Sequence, residues 1–175
     1  MDERRIECGG RSFLISGVEK EDWEWIKDGI AESMIKSIPE SYQADPVIVR
    51  ERAILEAGKL WDNPSIRNEL LIAKTEGEER AGALWMVALP FQYTGEMRGW
   101  VLQIFVSEQF RGIGLGKALM KIAEEWTLEE GLHRIGLNVG TGNKEAIALY
   151  RSSGFLIEGY NMGKALRSRA ESNEK

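Results

Sequence analysis

The chain has 175 residues, 43% of them apolar and 29% charged, with a net charge of −5. A chain of this size can bury about 70% of its unfolded surface without staples, and its acid excess argues against nucleic acid, whose phosphates call for a basic surface. One cysteine, Cys8, and one histidine, His133, exclude an internal disulfide and a zinc site of the usual kind.

The opening Met1-Asp2-Glu3-Arg4-Arg5 lacks the apolar stretch of a secretory signal. No apolar run approaches the ~20 residues of a membrane span. With one thiol in the chain, a cytoplasmic location is the simpler expectation. No repeat, low-complexity tract or linker divides the sequence, so residues 1–166 are expected to form one domain, followed by a charged tail over 167–175.

A short apolar run at 12–15 suggests a first strand. Trp23, Ile26, Ile30, Met34 and Ile38 then recur in steps of three and four, which predicts an amphipathic helix over 19–38, stopped by Pro39. A loop at 40–46 leads to a second helix over 47–60. The period then changes: strands are predicted at 70–75, 81–91 and 100–106, joined by turns at 76–77 and 92–96. The third is apolar on both faces apart from Gln103, which predicts a central strand covered on both sides.

A loop over 107–116 precedes a helix over 117–130 that stops at Gly131. Ile135, Leu137 and Val139 alternate, predicting a strand over 134–139. Asn143 is suited to cap a short helix ending at Gly154, and 155–162 suggests a last strand. The middle hairpin favours antiparallel pairing and the late strand-helix-strand units a parallel pair. The expected fold is α/β (α+β): a mixed, mostly antiparallel sheet of about six or seven strands and about four helices, in the order β-α-α-β-β-β-α-β-α-β.

The sharpest motif is Arg111-Gly112-Ile113-Gly114-Leu115-Gly116, between the doubly apolar strand and a helix. Glycines without Cβ atoms let an anion approach the backbone, and the first N–H groups of the helix are unpaired. The site suits a phosphate or pyrophosphate, with Arg111 and Lys117 adding charge at either end. The dinucleotide fingerprint fails because its third glycine comes one residue early. The P-loop fails at Arg111 and at Ala118. What fits is R/Q-x-x-G-x-G/A. Downstream, Asn143, Ile147, Tyr150 and Gly154 step by four, three and four and share one helix face. Taken singly, the loop is also compatible with an ordinary turn, and the helix with a capped core helix.

Together the two segments resemble the GCN5-related N-acetyltransferase superfamily: the glycine loop matches its acetyl-CoA motif, and 143–155 matches its N-x-x-A-x-x-x-Y-x-x-x-G-F element through Asn143, Ala146, Tyr150, Gly154 and Phe155. The resemblance implies direct transfer of an acetyl group from acetyl-CoA, a co-substrate, to a primary amine, with no metal, in a monomer or homodimer; a small amine, an antibiotic, a polyamine and a protein N-terminus or lysine all stay open as acceptor. It implies that the backbone of Arg111, Gly112, Ile113, Gly114, Leu115 and Gly116 surrounds the pyrophosphate, with Lys117 nearby. It also implies a splayed strand whose backbone at Phe105 and Val106 holds the pantetheine and the acetyl carbonyl, cofactor contacts from Asn143 and Ala146, and Tyr150 beside the sulfur.

The positions where family members carry a glutamate base are Trp100 and Asn138 here, so neither base carries over. An alkyl amine must still lose a proton, at a cost of about 4.6 kcal/mol at neutral pH. Gln103 holding a water, Asp45, Glu96 and Glu158 are the candidates, while His133 and Cys8 read as incidental. Tyr150 suits hydrogen bonding to a departing thiolate better than full proton transfer, because a phenol is less acidic than a thiol. Trp23, Trp25, Tyr42 and Tyr93 are candidate walls of an acceptor pocket, although Trp23 and Trp25 must face different ways on a helix. The missing bases leave a second reading, a non-catalytic acyl-CoA sensor of the same fold.

Overall fold

A computed structural model describes residues 3–39, 42, 44–61, 63–164 and 166. The proposed tail at 167–175 and part of the loop at 40–46 lie outside the described residues. Six strands form one sheet: β1 (Arg4–Cys8), β2 (Arg11–Gly17), β3 (Asn68–Thr75), β4 (Arg80–Pro90), β5 (Met97–Val106) and β6 (Ile135–Leu137). They lie side by side in chain order. The pairs are antiparallel except β5–β6, which is parallel, as the strand-helix-strand pattern led us to expect.

Two helices, α1 (Trp23–Ser37) and α2 (Pro46–Trp61), cover one face. Ile26 and Ile30 of α1 and Ala53 and Ala57 of α2 pack there with Leu70, Ala83, Trp85 and Val87 of the sheet. Helix α3 (Leu115–Glu129) buries Leu115, Leu119, Met120, Ile122, Ala123 and Trp126 on the other face, against Phe13, Ile15, Leu84, Met86 and Val101. The short α4 (Lys144–Ser152) joins that layer through Leu149 and Tyr150. β3 and β4 are thus covered on both faces, which is why their sequences are nearly continuous apolar runs.

Asp22 stands at the start of α1, where an N-cap is expected, yet its side chain makes no cap bond to that helix. It is fully buried instead, 2.7 Å from Arg80 Nε and 3.1 Å from Lys74 Nζ, and it accepts the Glu19 N–H at 3.2 Å. Burial raises the carboxyl pKa; the hydrogen bonds from Arg80, Lys74 and Glu19 outweigh it and hold it below the usual value. The start of α1 is therefore fastened to the β3–β4 hairpin by charge.

Four sequence expectations need correction. β1 was not foreseen, because its half-exposed strand carries charges; its only signal is the Gly9-Gly10 turn, where both residues have positive φ. β5 meets helices on both faces, through Ile104 and Val106 on the α3 side and Leu102 and Phe105 on the α1/α2 side, as expected, but it is not central along its length: of residues 100–106 only Val101 is fully buried, and beyond it no strand pairs with the outer edge. β6 spans three residues, not 134–139, because the chain turns away toward α1. No strand forms over 155–162; this stretch leaves α4 at Gly154 (φ +87°) and carries Leu156, Ile157, Tyr160 and Met162 exposed. Its Glu158 forms an ion pair with Arg98 of β5.

Candidate active site

The site grows from one irregularity in β5. Trp85 of β4 pairs with Gln103 and Met86 with Val101, leaving Leu102 as an extra residue in β5. Such a bulge bends its strand. On the other side of β5, pairing with β6 runs through Gly99↔Ile135 and Trp100↔Gly136 and ends at Val101↔Leu137. β5 and the chain after β6 then part like the arms of a fork.

Helix α1 crosses the mouth of that fork. At Gly29 a Cβ would lie 2.2 Å from the Phe105 ring, so the helix rests directly on the end of β5. Two turns on, a Cβ at Gly140 would lie 1.9 Å from the Ser37 carbonyl oxygen, so the other arm is pinned to the end of α1. A side chain at either glycine would push its arm off the helix.

Beyond Val106 the chain enters the glycine loop. Gly112 (φ +75°) and Gly114 (φ +94°) need the left-handed region, and nothing stands within 4 Å of where their Cβ atoms would be. Gly116 has a different role: a Cβ there would press on Leu149 at 3.3 Å, so it lets α4 lie close to α3. Ile113 and Leu115 turn their side chains into the protein and leave only backbone at the surface. The first bond of α3 runs from Ala118 N to the Gly114 carbonyl, so the N–H groups of Leu115, Gly116 and Lys117 precede the helical ladder. Arg111 donates from Nε to the Val106 carbonyl at 3.1 Å and reaches Glu145 of α4 at 3.8 Å, joining strand, loop and second helix. Lys117 is exposed at the same helix end. A backbone concavity with two nearby cations fits an anionic pyrophosphate.

On α4, the Asn143 side-chain oxygen accepts the Ala146 N–H at 3.2 Å, which caps the helix and leaves the amide NH₂ free for a ligand. Tyr150 lies about two turns further, half-buried, with its ring 6.1 Å from that of Phe155. Burial pushes its pKa up to about 12. Gln103 and Phe105 sit on the α1/α2 face of β5, since Gln103 pairs with Trp85 and Phe105 with Ala83. The structure therefore gathers Val106, Arg111 to Lys117, Asn143, Ala146 and Tyr150 on the α3 side, with Gln103 and Phe105 across the strand.

The remaining candidates are held elsewhere. Asp45 accepts the Val47 N–H at the start of α2, Glu96 pairs with Arg134, and Glu158 pairs with Arg98 at 2.8 Å. His133 and Asn138 are exposed, and Cys8 is a buried thiol whose pKa is raised by that burial. Trp23 packs on Trp61 while Trp25 covers Phe105. Tyr93 is exposed in the β4–β5 turn, and Tyr42, also exposed, has its hydroxyl near Gly163. Sequence reasoning missed Gly29, Gly140 and the Leu102 bulge. Isolated glycines within helix or loop were the available signal for the first two; nothing in the apolar run announced the third.

Among the described residues no helix is long and apolar enough to cross a membrane. Residues 32–155 match the acetyltransferase (GNAT) family. The chain is 36% identical over 105 residues to a mycothiol acetyltransferase of Paenarthrobacter aurescens, which is 60% of this chain and 32% of that protein. It is 32% identical over 88 residues to YdgE, an uncharacterized N-acetyltransferase of Bacillus subtilis, covering 50% of this chain and 55% of the relative. It thus spans between a third and a little over half of these curated relatives. A solved Pyrococcus furiosus protein provisionally named an acetyl transferase superposes with a TM-score of 0.72 over 88% of this chain and 99% of its own, at 24% identity. With a family match that takes in 32–155, most of the chain and both the glycine loop and the 143–155 element, the chain belongs to the acetyltransferase (GNAT) family.

Proposed function

We propose that the protein moves the acetyl group of acetyl-CoA directly to an amine. The observation that carries this reading is continuity: the open edge of β5 runs into a glycine loop at a helix N-terminus, with Tyr150 on the neighbouring helix. The loop N–H groups and Arg111 bind the pyrophosphate. The backbone at Phe105 and Val106, on the open edge of β5, orients the pantetheine, and an outward N–H there donates to the acetyl oxygen, where charge develops, while the Val106 carbonyl stays with Arg111. Asn143 and Ala146 line the same arm.

In the transfer, the amine nitrogen bonds to the acetyl carbon, the carbon–sulfur bond breaks, and its electron pair stays on sulfur. The amine proton passes to a water held by Gln103. With a pKa near 12, Tyr150 keeps its proton; giving it to a thiolate is uphill by about 5 kcal/mol. Tyr150 therefore acts as a neutral donor to the departing sulfur.

The test is thermal. At a hundredfold excess over Kd, acetyl-CoA adds about 2.7 kcal/mol, or roughly 5–11 °C in Tm for a chain of this length. NAD and ATP are expected to give smaller shifts. A larger shift with NAD and none with acetyl-CoA refutes the reading. A second reading, an acyl-CoA sensor without turnover, is favoured by Trp100 and Asn138 at the positions of the family bases. Release of free thiol in the presence of amines, followed with DTNB, separates the two.

A further inference from the structure

Leu102 and Gln103 are consecutive, and in a regular strand they would face opposite sides of the sheet. The bulge places them on the same side: Leu102 packs with the α1/α2 core, and Gln103 pairs with Trp85, a member of that core. They stand immediately beyond Val101↔Leu137, at the fork. Trp100 and Phe105 face the same way, and all four are half-buried.

This floor has little charge to offer. β5 contains no carboxylate. Its one cation, Arg98, lies between the Phe91 and Trp100 rings, 4.1 and 4.5 Å from their centres, and is neutralised by Glu158. Glu96 is engaged with Arg134, and Asp28 of α1 with Arg50. From Glu158, the chain continues to Gly163 beside the Tyr42 hydroxyl in the α1–α2 connection, exposing Tyr160 and Met162 on the way. Among the described residues, the acceptor side therefore has an aromatic and aliphatic floor and one unpaired amide, with the apolar Tyr160 and Met162 exposed beside it.

We infer that the acceptor is an amine borne on an apolar or aromatic skeleton, and that Leu102 selects it. The inference rests on the acetyl-transfer reading. Gln103 serves the nitrogen, while Leu102 and Trp100 cover the carbons next to it. A polyamine or aminoglycoside would bring further positive charges onto a floor whose residues Trp100, Leu102, Gln103 and Phe105 hold no carboxylate, at a desolvation cost that nothing in the floor offsets. A phenyl group instead gains by burial.

The experiment measures kcat/KM with saturating acetyl-CoA for 2-phenylethylamine, spermidine and kanamycin, in the wild type, Leu102→Ala and Leu102→Glu. The thermal shift with acetyl-CoA is recorded for each. Phenylethylamine is expected to exceed the two polycations by about tenfold or more in the wild type. Leu102→Ala is expected to lower that advantage mainly through KM, and Leu102→Glu to turn the preference toward spermidine. A wild type that prefers spermidine or kanamycin overturns the inference, as does inactivity toward all three amines with the acetyl-CoA shift intact; both leave the donor reading standing. Absence of the shift in the wild type overturns the donor reading and the inference together. If Leu102→Glu does not fold, the wild-type ranking and Leu102→Ala still decide.

Discussion

The two halves of β5 share one apolar composition and have opposite roles. From Gly99 to Val101 the strand is sealed: a Cβ on Gly99 would fall 2.2 Å from Thr127 Oγ1 of α3, and one on Gly136 of β6 would fall 2.8 Å from the Trp100 ring. From Leu102 to Val106 no strand lies outside it, and the nearest structure across the gap is pinned to α1 through Gly140. Close packing on both faces makes the first half a foundation. Withholding a neighbour strand from the second half leaves its outward backbone groups, apart from the Val106 carbonyl that Arg111 takes, free for a ligand. The difference lies in the partner strand, which ends at Val101↔Leu137, and in the Leu102 bulge where the halves meet.

The largest way to break this contrast acts through α1, which bridges the open half. Asp22→Ala leaves Arg80 and the nearly buried Lys74 without their shared carboxylate, and is expected to cost about 3–5 kcal/mol, lowering Tm by roughly 6–20 °C. The Asp22 pKa is depressed by folding, so its contribution is present above the unfolded value, near 3.8, and is lost as pH falls through the lower folded value. Urea titrations of wild type and Asp22→Asn between pH 5 and pH 2 check this: the wild type should lose its advantage across that acid range.

Tyr150 tests the open half chemically. Its pKa is raised on folding from 10.0 to about 12, so its contribution is full below pH 10 and disappears as pH rises through about 12. Alkaline unfolding should therefore show a loss of about 3 kcal/mol across that interval that Tyr150→Phe lacks. The same variant should slow single-turnover transfer by roughly ten- to 150-fold with acetyl-CoA affinity retained, the value of a charge-assisted hydrogen bond of about 1.5–3 kcal/mol. An unchanged single-turnover rate would return Tyr150 to a packing role.

A matched pair of glycines compares the halves directly. Gly136→Ala crowds the sealed half, and Gly140→Ala crowds the pin between the open arm and α1; each overpacking is expected to cost about 1–3 kcal/mol. Only Gly140→Ala should also weaken acetyl-CoA binding, measured by titration calorimetry, because only it moves an arm of the fork. Equal affinities in the two variants would mean that the fork does not hold the donor.

The smallest stability effect is expected at the loop. Gly114→Val puts a β-branched side chain at φ +94°, a strain of about 1–2 kcal/mol. No protein atom lies within 4 Å of the new Cβ, so crowding falls on whatever the loop binds. A loss of affinity for acetyl-CoA of about tenfold or more in a folded variant is expected, since the helix N-terminus acts only at close approach. Undiminished affinity would place the pyrophosphate elsewhere.

Much of this was written locally. Steps of three and four placed α1 and α3, continuous apolar runs placed β3 and β4, and Asn143 caps α4 as its type and position require. The glycine loop and the 143–155 element pointed to the family because their spacing encodes a turn and a helix face, which are properties of neighbouring residues. The Arg98–Glu158 bridge and the Asp22 cluster were illegible, because they join residues 60 and 58 positions apart by ion pairs that no local pattern marks.

The sequence by itself determined most element types, the Asn143 cap, the glycine turn and the family. Tertiary structure alone decided that β5 is open, that 155–162 is not a strand, and that Leu102 and Gln103 share a face. Periodicity reports which side chains avoid water, and a strand end that faces a cleft can be as apolar as one that faces a core. Whether a neighbour comes to pair with it depends on where a distant segment is tethered, here Gly140 to the end of α1.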